Sequence, residues 1–222
     1  MNSQPRYQSL KLVTAPAALP VAVADVKTYL RINTSDDDAM LSGFIEAATD
    51  IVEKYTGRRL ITQTWAQFMD AFPQNSRIDA LPDGVTEGAI SEYVYGADSF
   101  ELLLFPVQSI THLKTYDPAN TAYTMSSSDY FLDTASEPCR LALANDASWP
   151  TTLLRAIKGI EVQFVVGYGA SGSAVPFGLK QAIMEIVGKF YSSRGCSDSE
   201  NAMPATALAL LQSYRVMRIG AV

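Results

Sequence analysis

Histidine is almost absent: the 222 residues contain one, His112. A catalytic triad would have to be built around that single imidazole, and no G-x-S-x-G turn is present to supply a nucleophile. An ordinary sheet histidine is the expected role. Cysteine stops at two, Cys139 and Cys196, with no partner at metal-ligand spacing. A disulfide between them stays open; two thiols in a reducing cytoplasm is the simpler reading. No stretch of ~18 apolar residues is present to cross a bilayer, and residues 1–20 lack the compact apolar run of a signal peptide. The expected setting is the cytoplasm, or a larger assembly built there, with no membrane partner. Basic residues are in the minority, 17 Lys and Arg against 23 Asp and Glu, for a net charge of -6. Gripping DNA by its phosphates takes clustered Lys and Arg, so such a grip is not expected to dominate.

What the chain has is material for a core. Hydrophobic residues make up 48% and charged residues 18%. At roughly 150 residues per domain, this length means one domain, or one domain carrying a large insertion. A chain of this size buries roughly 70% of its unfolded surface, so folding requires neither a disulfide nor a metal.

The pattern runs helix, sheet, helix. Residues 1–20 read as an extended arm broken by Pro5, Pro16 and Pro20. A short helix is predicted from about Val23 to Ile32, poorly capped by Ala22. Leu41, Phe44, Ile45, Ala48, Val52 and Tyr55 then follow helical spacing. Ser35 or Asp36 is placed to cap this second helix, and Gly57 to end it. Strands are predicted at Thr64–Met69, Leu102–Phe105, Ile110–Tyr116, Thr121–Met125, Tyr130–Leu132 and, most clearly, Ile160–Tyr168, where apolar residues alternate. Helices return after Pro176, with Leu179, Ile183, Ile186, Val187 and Phe190 on one face and Gly195 as the stop. A last helix is predicted from about Pro204 to Arg215, with Leu208, Leu211 and Tyr214 as its stripe. The expected class is α+β: a bundle of about four helices from both ends of the chain (21–59 and 174–217), with an antiparallel β-rich insertion at 60–173. An arm (1–20) and a tail (218–222) flank it.

Residues 77–101 carry Asp79, Asp83, Glu87, Glu92, Asp98 and Glu101 against Arg77 alone, and read as a long acidic loop. Three motifs imitate chemistry. Asp36-Asp37-Asp38 lacks the alternating ligands and closing Glu of a calcium loop and fits helix capping better. The two N-terminal helices resemble a helix-turn-helix, but the second opens on aspartates where a reading helix offers basic and amide side chains. Gly167-Tyr168-Gly169-Ala170-Ser171-Gly172 matches G-x-G-x-x-G after a strand. No second strand follows to close a βαβ unit, and the acidic residue expected about 20 positions on is missing, so a sheet-to-helix linker is expected. A nucleotide-binding enzyme would rest on these glycines alone. No catalytic, cofactor or metal residue is assigned.

Several stretches, in order, resemble the phage head–tail connector (adaptor, or head-completion) proteins, in the subgroup with a sheet inserted between helices. They include Leu19-Pro20-Val21 leading into Val26–Ile32, Asp36–Asp38, Val52–Arg58, Leu60–Trp65, Phe105–Ile110, Ser128-Asp129-Tyr130, Trp149-Pro150, Gly167-Tyr168-Gly169, Val175-Pro176 and Leu210–Arg215. Similar proteins occur in gene transfer agents and prophages. The resemblance implies a non-enzymatic virion component in the neck, without cofactors. It would form a ring under the portal, dodecameric to match it, and present a docking surface for the stopper or tail. Double-stranded DNA would pass through without specific binding. By the same resemblance the carboxyl-terminal helix and tail would meet the portal, giving Leu208, Leu211, Tyr214, Arg215 and Arg218 as candidates. Leu208 and Leu211 are equally open to a core role. Asp79, Asp83, Glu87 and Glu92 would line the channel or face outward. A tail-completion or tail-terminator ring is the alternative.

Overall fold

The computed structural model describes residues 8–72, 99–144, 146–193 and 203–216. Its elements are β1 (Gln8–Thr14), α1 (Val23–Leu30), α2 (Asp38–Thr56), β2 (Gln63–Met69), β3 (Ser99–Glu101), β4 (Val107–Tyr116), β5 (Ala122–Thr124), β6 (Tyr130–Asp133), β7 (Arg140–Leu143), β8 (Ile160–Val166), α3 (Phe177–Ser193) and α4 (Ala205–Gln212). The chain divides into two compact units. One holds residues 1–13, 65–103 and 109–164; the other holds 14–64, 104–108 and 165–222. The class is α+β, as the sequence predicts.

The first unit is built on strands. A five-stranded sheet has the order β1-β2-β8-β4-β5, and a three-stranded sheet the order β3-β7-β6. In β8 the alternation is as predicted: Ile160, Val162 and Phe164 are fully buried, whereas Glu161 and Gln163 are not. Trp149 stacks on Phe72 with ring centroids 4.4 Å apart and tilts against Phe100 at 5.8 Å. Such pairs add roughly 0.5–1.5 kcal/mol beyond area burial.

The second unit is helical. Val26 from α1, Leu41, Ile45, Ala48 and Val52 from α2, Leu179, Ile183, Ile186 and Val187 from α3, and Ala207 and Leu211 from α4 form one core. Each is fully buried, and a buried aliphatic side chain of this size contributes roughly 1.5–3 kcal/mol. Apolar stripes on four helices thus close on one another, because none could be left in water.

Four expectations need correction. Gln8–Thr14, in the predicted arm, is strand β1 at the sheet edge. Leu102–Phe105 is not a strand; the strand is Ser99–Glu101, which was placed within the acidic loop. The reason is Gln67, fully buried on β2. Its side-chain amide donates to the Glu101 carbonyl (3.1 Å) and its oxygen accepts from the Leu103 amide (2.9 Å), supplying bonds that a neighbouring strand would otherwise give. The residue at the start of α2 is Asp37, with no side-chain bond into the helix, so neither Ser35 nor Asp36 is the cap. The aspartates tie helices together: Asp37 accepts from the Tyr191 hydroxyl on α3 (2.7 Å), and Asp38 from the Lys27 ammonium on α1 (2.7 Å). Finally, Arg140–Leu143 forms a strand, β7, at the centre of the second sheet, where none was expected. Gly57 does end α2 in the left-handed conformation, at φ 74.

Gly167 gives the first testable consequence. It sits at φ +125, and a Cβ there would lie 2.6 Å from the Ile61 carbonyl carbon and oxygen. Both the backbone region and the space exclude a side chain. Gly167→Ala should lose at least about 2 kcal/mol of stability, read as a lowered urea midpoint; an unchanged midpoint would contradict this packing.

Candidate docking surface

The carboxyl-terminal segment is built onto the end of α2. The last carbonyls of a helix have no partner within it. The Thr56 carbonyl accepts from the Val216 amide at 3.1 Å, and Arg58, itself buried, donates from Nε to the Tyr214 carbonyl at 2.7 Å. The Tyr214 ring lies against Gly178 on α3, where a Cβ would be 2.9 Å from the phenol oxygen. The Arg215 guanidinium stands 5.4 Å over the Tyr55 ring, within cation–π range. Thr206 bonds to Glu185 and so ties α4 to α3.

Of the candidate portal residues, Leu211 is fully buried in the chain's own core, Leu208 and Tyr214 are half-buried, and Arg215 is exposed. Arg218 lies outside the described residues, as do Asp79, Asp83, Glu87, Glu92 and Cys196. Val216 is held by the fold through its amide. Sequence reasoning placed Arg58 at the end of α2 but gave it no part in holding Tyr214. The available signal was a pair of arginines directly after the helix-ending Gly57.

Glu53 braces the same corner. Its carboxylate accepts from Arg59 (3.0 Å), the Leu60 amide (2.8 Å) and Gln63 (3.3 Å). Burial pushes its pKa up, against the pull of the Leu60 amide and the Arg59 charge.

The motifs that imitated chemistry have structural occupations. His112, on β4, lies 3.2 Å from Glu161 on β8, and the other Glu161 oxygen accepts from the Tyr116 hydroxyl at 2.6 Å. In the 167–172 turn the Gly167 amide donates to the Pro106 carbonyl (2.9 Å), the Tyr168 amide to the Leu60 carbonyl (3.1 Å), and the Gly169 carbonyl accepts from Thr62 (2.9 Å). A Cβ on Gly172 would meet the Pro20 carbonyl oxygen at 2.4 Å. The glycines serve close chain crossings, and the Gly167 and Tyr168 amides are engaged by carbonyls of the chain itself. Among the described residues, no cluster of three or more His, Cys, Asp or Glu side chains is placed to hold a metal. None of the helices there is long and apolar enough to cross a membrane.

Exposed apolar side chains occur in both units. In the strand unit, Leu153 and Ile157 are 77% and 70% exposed. Their loop is tied by Arg155, which donates to the Lys158 carbonyl (2.7 Å) and to Asn120 (2.5 Å) while stacking 4.2 Å over the Tyr116 ring. In the helical unit, Phe177 is exposed at the start of α3.

Residues 21–94 match the sequence model of the phage gp6-like head-tail connector protein family. The expected resemblance to head–tail connectors is found in sequence and in fold. A chain from the neck of a native gene transfer agent (GTA) particle, computed with C12 symmetry, superposes with a TM-score of 0.70 at 27% identity, covering 96% of this chain and 98% of that one. Chains from the neck of the empty GTA particle, computed with C6 symmetry, and from the virion of the native particle each give 0.72 at 24% identity with the same coverage. A comparison with curated proteins finds no match.

The Glu161 network predicts a pH dependence. Burial alone would raise the Glu161 pKa, but the hydrogen bonds from Tyr116 and His112 outweigh it and the net direction is down. A carboxyl held below its unfolded value contributes stability above the unfolded pKa and loses it as pH falls through the folded one. The stability difference between the natural protein and Glu161→Gln should therefore be present above the ordinary carboxylate pKa of about 4.3 and close as pH falls below it. Urea unfolding across pH 3–7 measures it; a gap that widens in acid would reverse the assignment.

Proposed function

We propose that this protein is a non-enzymatic head–tail connector. Copies form a ring under the portal of a phage-like particle, extend the DNA channel in the virion neck, and present a docking surface for the stopper or tail. The observation that carries this reading is a coincidence of two matches. The connector family match lies at residues 21–94, and 96% of the chain shares its fold with neck chains over 98% of their length. The C12 symmetry of the 27%-identical neck supports a dodecamer. The net charge of -6 suits a wall past which DNA slides without being held. Asp79, Asp83, Glu87 and Glu92, outside the described residues, are the candidates to line that wall or to face outward from it.

The test is to mix the purified chain with portal protein and image the product by cryo-EM. A twelvefold ring stacked on the portal is expected. Binding to tail-tube protein instead would reassign the chain as a tail-completion ring, and failure to bind either would overturn the reading.

The portal contact is assigned to the exposed side of residues 214–216 and to the tail that leaves from it. Leu211 serves this contact through the fold, from inside the core. Removing residues 217–222 spares the Val216 and Tyr214 bonds to the end of α2. Stability should stay within about 0.5 kcal/mol, while portal affinity falls about tenfold or more. Unchanged affinity would place the contact elsewhere.

A further inference from the structure

The five-stranded sheet ends in β1 on one side and β5 on the other, and among the described residues no strand pairs with the outer side of either. An open edge presents a row of backbone N–H and C=O groups whose natural complement is another strand. Natural proteins blunt such edges with proline, charge, bulges or very short strands. β5 is short, with three residues, all exposed. β1 is not blunted: it runs seven residues, Gln8–Thr14, has no proline and carries one charge, Lys11. Six of its seven residues are exposed, including Leu12 at 42% and Val13 at 47%. A strand whose side chains pack so little within its own chain gains from a neighbour.

The same chain also offers the complementary edge. β5 carries Tyr123, 49% exposed, at its centre, and pairs on its inner side with β4 through Tyr123 opposite Thr115. Two different edges of one sheet make a heterologous contact, in which each copy is donor on one side and acceptor on the other; such contacts close into rings when the rotation permits. Gene transfer agent necks sharing this fold were computed with C12 and C6 symmetry, so copies repeat about an axis there.

We infer that β1 of one copy pairs with β5 of the next, joining the five-stranded sheets into a continuous belt around the ring. Leu12 or Val13 would then pack near Tyr123 of the neighbouring copy. This inference rests on the ring proposed above, and its test separates the two.

Full-length chain carrying Leu12→Cys and Tyr123→Cys together, with Cys196→Ser to remove a background thiol, is assembled on portal protein. It is treated with a short bis-maleimide, whose reach tolerates a register offset, and run on a denaturing gel. The double variant should give a covalent ladder climbing toward the full ring. Each single variant should stay monomeric, because β1 does not face β1 and β5 does not face β5. Rings seen by cryo-EM without a ladder would overturn the edge pairing and leave the connector reading standing. Dimers from either single variant would show an isologous contact and also overturn it. Absence of any ring would defeat both readings.

Discussion

The short passage from α2 into β2 is the constraint on which the helical unit depends. Gly57 turns the chain out of the helix. Within five residues the backbone then receives or gives bonds to two remote segments. The Arg59 amide donates to the Phe105 carbonyl (2.6 Å), the Leu60 carbonyl accepts from Tyr168 (3.1 Å), and the Thr62 amide donates to Gly169 (2.9 Å). Arg58 adds the Tyr214 carbonyl, and Glu53 braces the passage from within α2. Each bond contributes only about 1 kcal/mol net. Their convergence matters more, because a shift of one segment would leave buried polar groups of several others unpaired.

Periodicity made most of this fold legible before any coordinates. The stripes of α2 and α3 and the alternation of β8 demand burial whatever surrounds them, so their types and approximate bounds could be read directly. Elements that depend on partners could not. β1 has no buried face to leave a pattern, and β7 is four residues defined by the two strands that flank it. The stretch at Leu102–Phe105 is apolar enough to be a strand, yet Gln67 completes its hydrogen bonding from the side. A buried glutamine in that role leaves no local trace in sequence.

The candidate site was less legible. Tyr214 and Arg215 were named from the resemblance to head–tail connectors rather than from the pattern of the residues, and Leu211, named with them, is core, since a short helix needs its face for packing. The role of Arg58 escaped notice because its partner is a main-chain carbonyl 156 positions away, and carbonyls are chemically alike in any sequence. The Gly167–Gly172 motif shows the converse. Glycines at that spacing mark close backbone approach, and whether the approaching group is a phosphate or a carbonyl is decided by chain topology.

The seating of α4 has a consequence for the order of events during synthesis. α1 and α2 emerge from the ribosome first, yet their apolar stripe is covered by α3 and α4, and the end of α2 is completed by Tyr214 and Val216. The helical unit therefore stays open until residues 205–216 have been made. A product ending earlier would expose Val52 and its neighbours, a surface that chaperones and proteases recognise. Folding of this unit is thus completed only once α4 and the residues directly after it have been made.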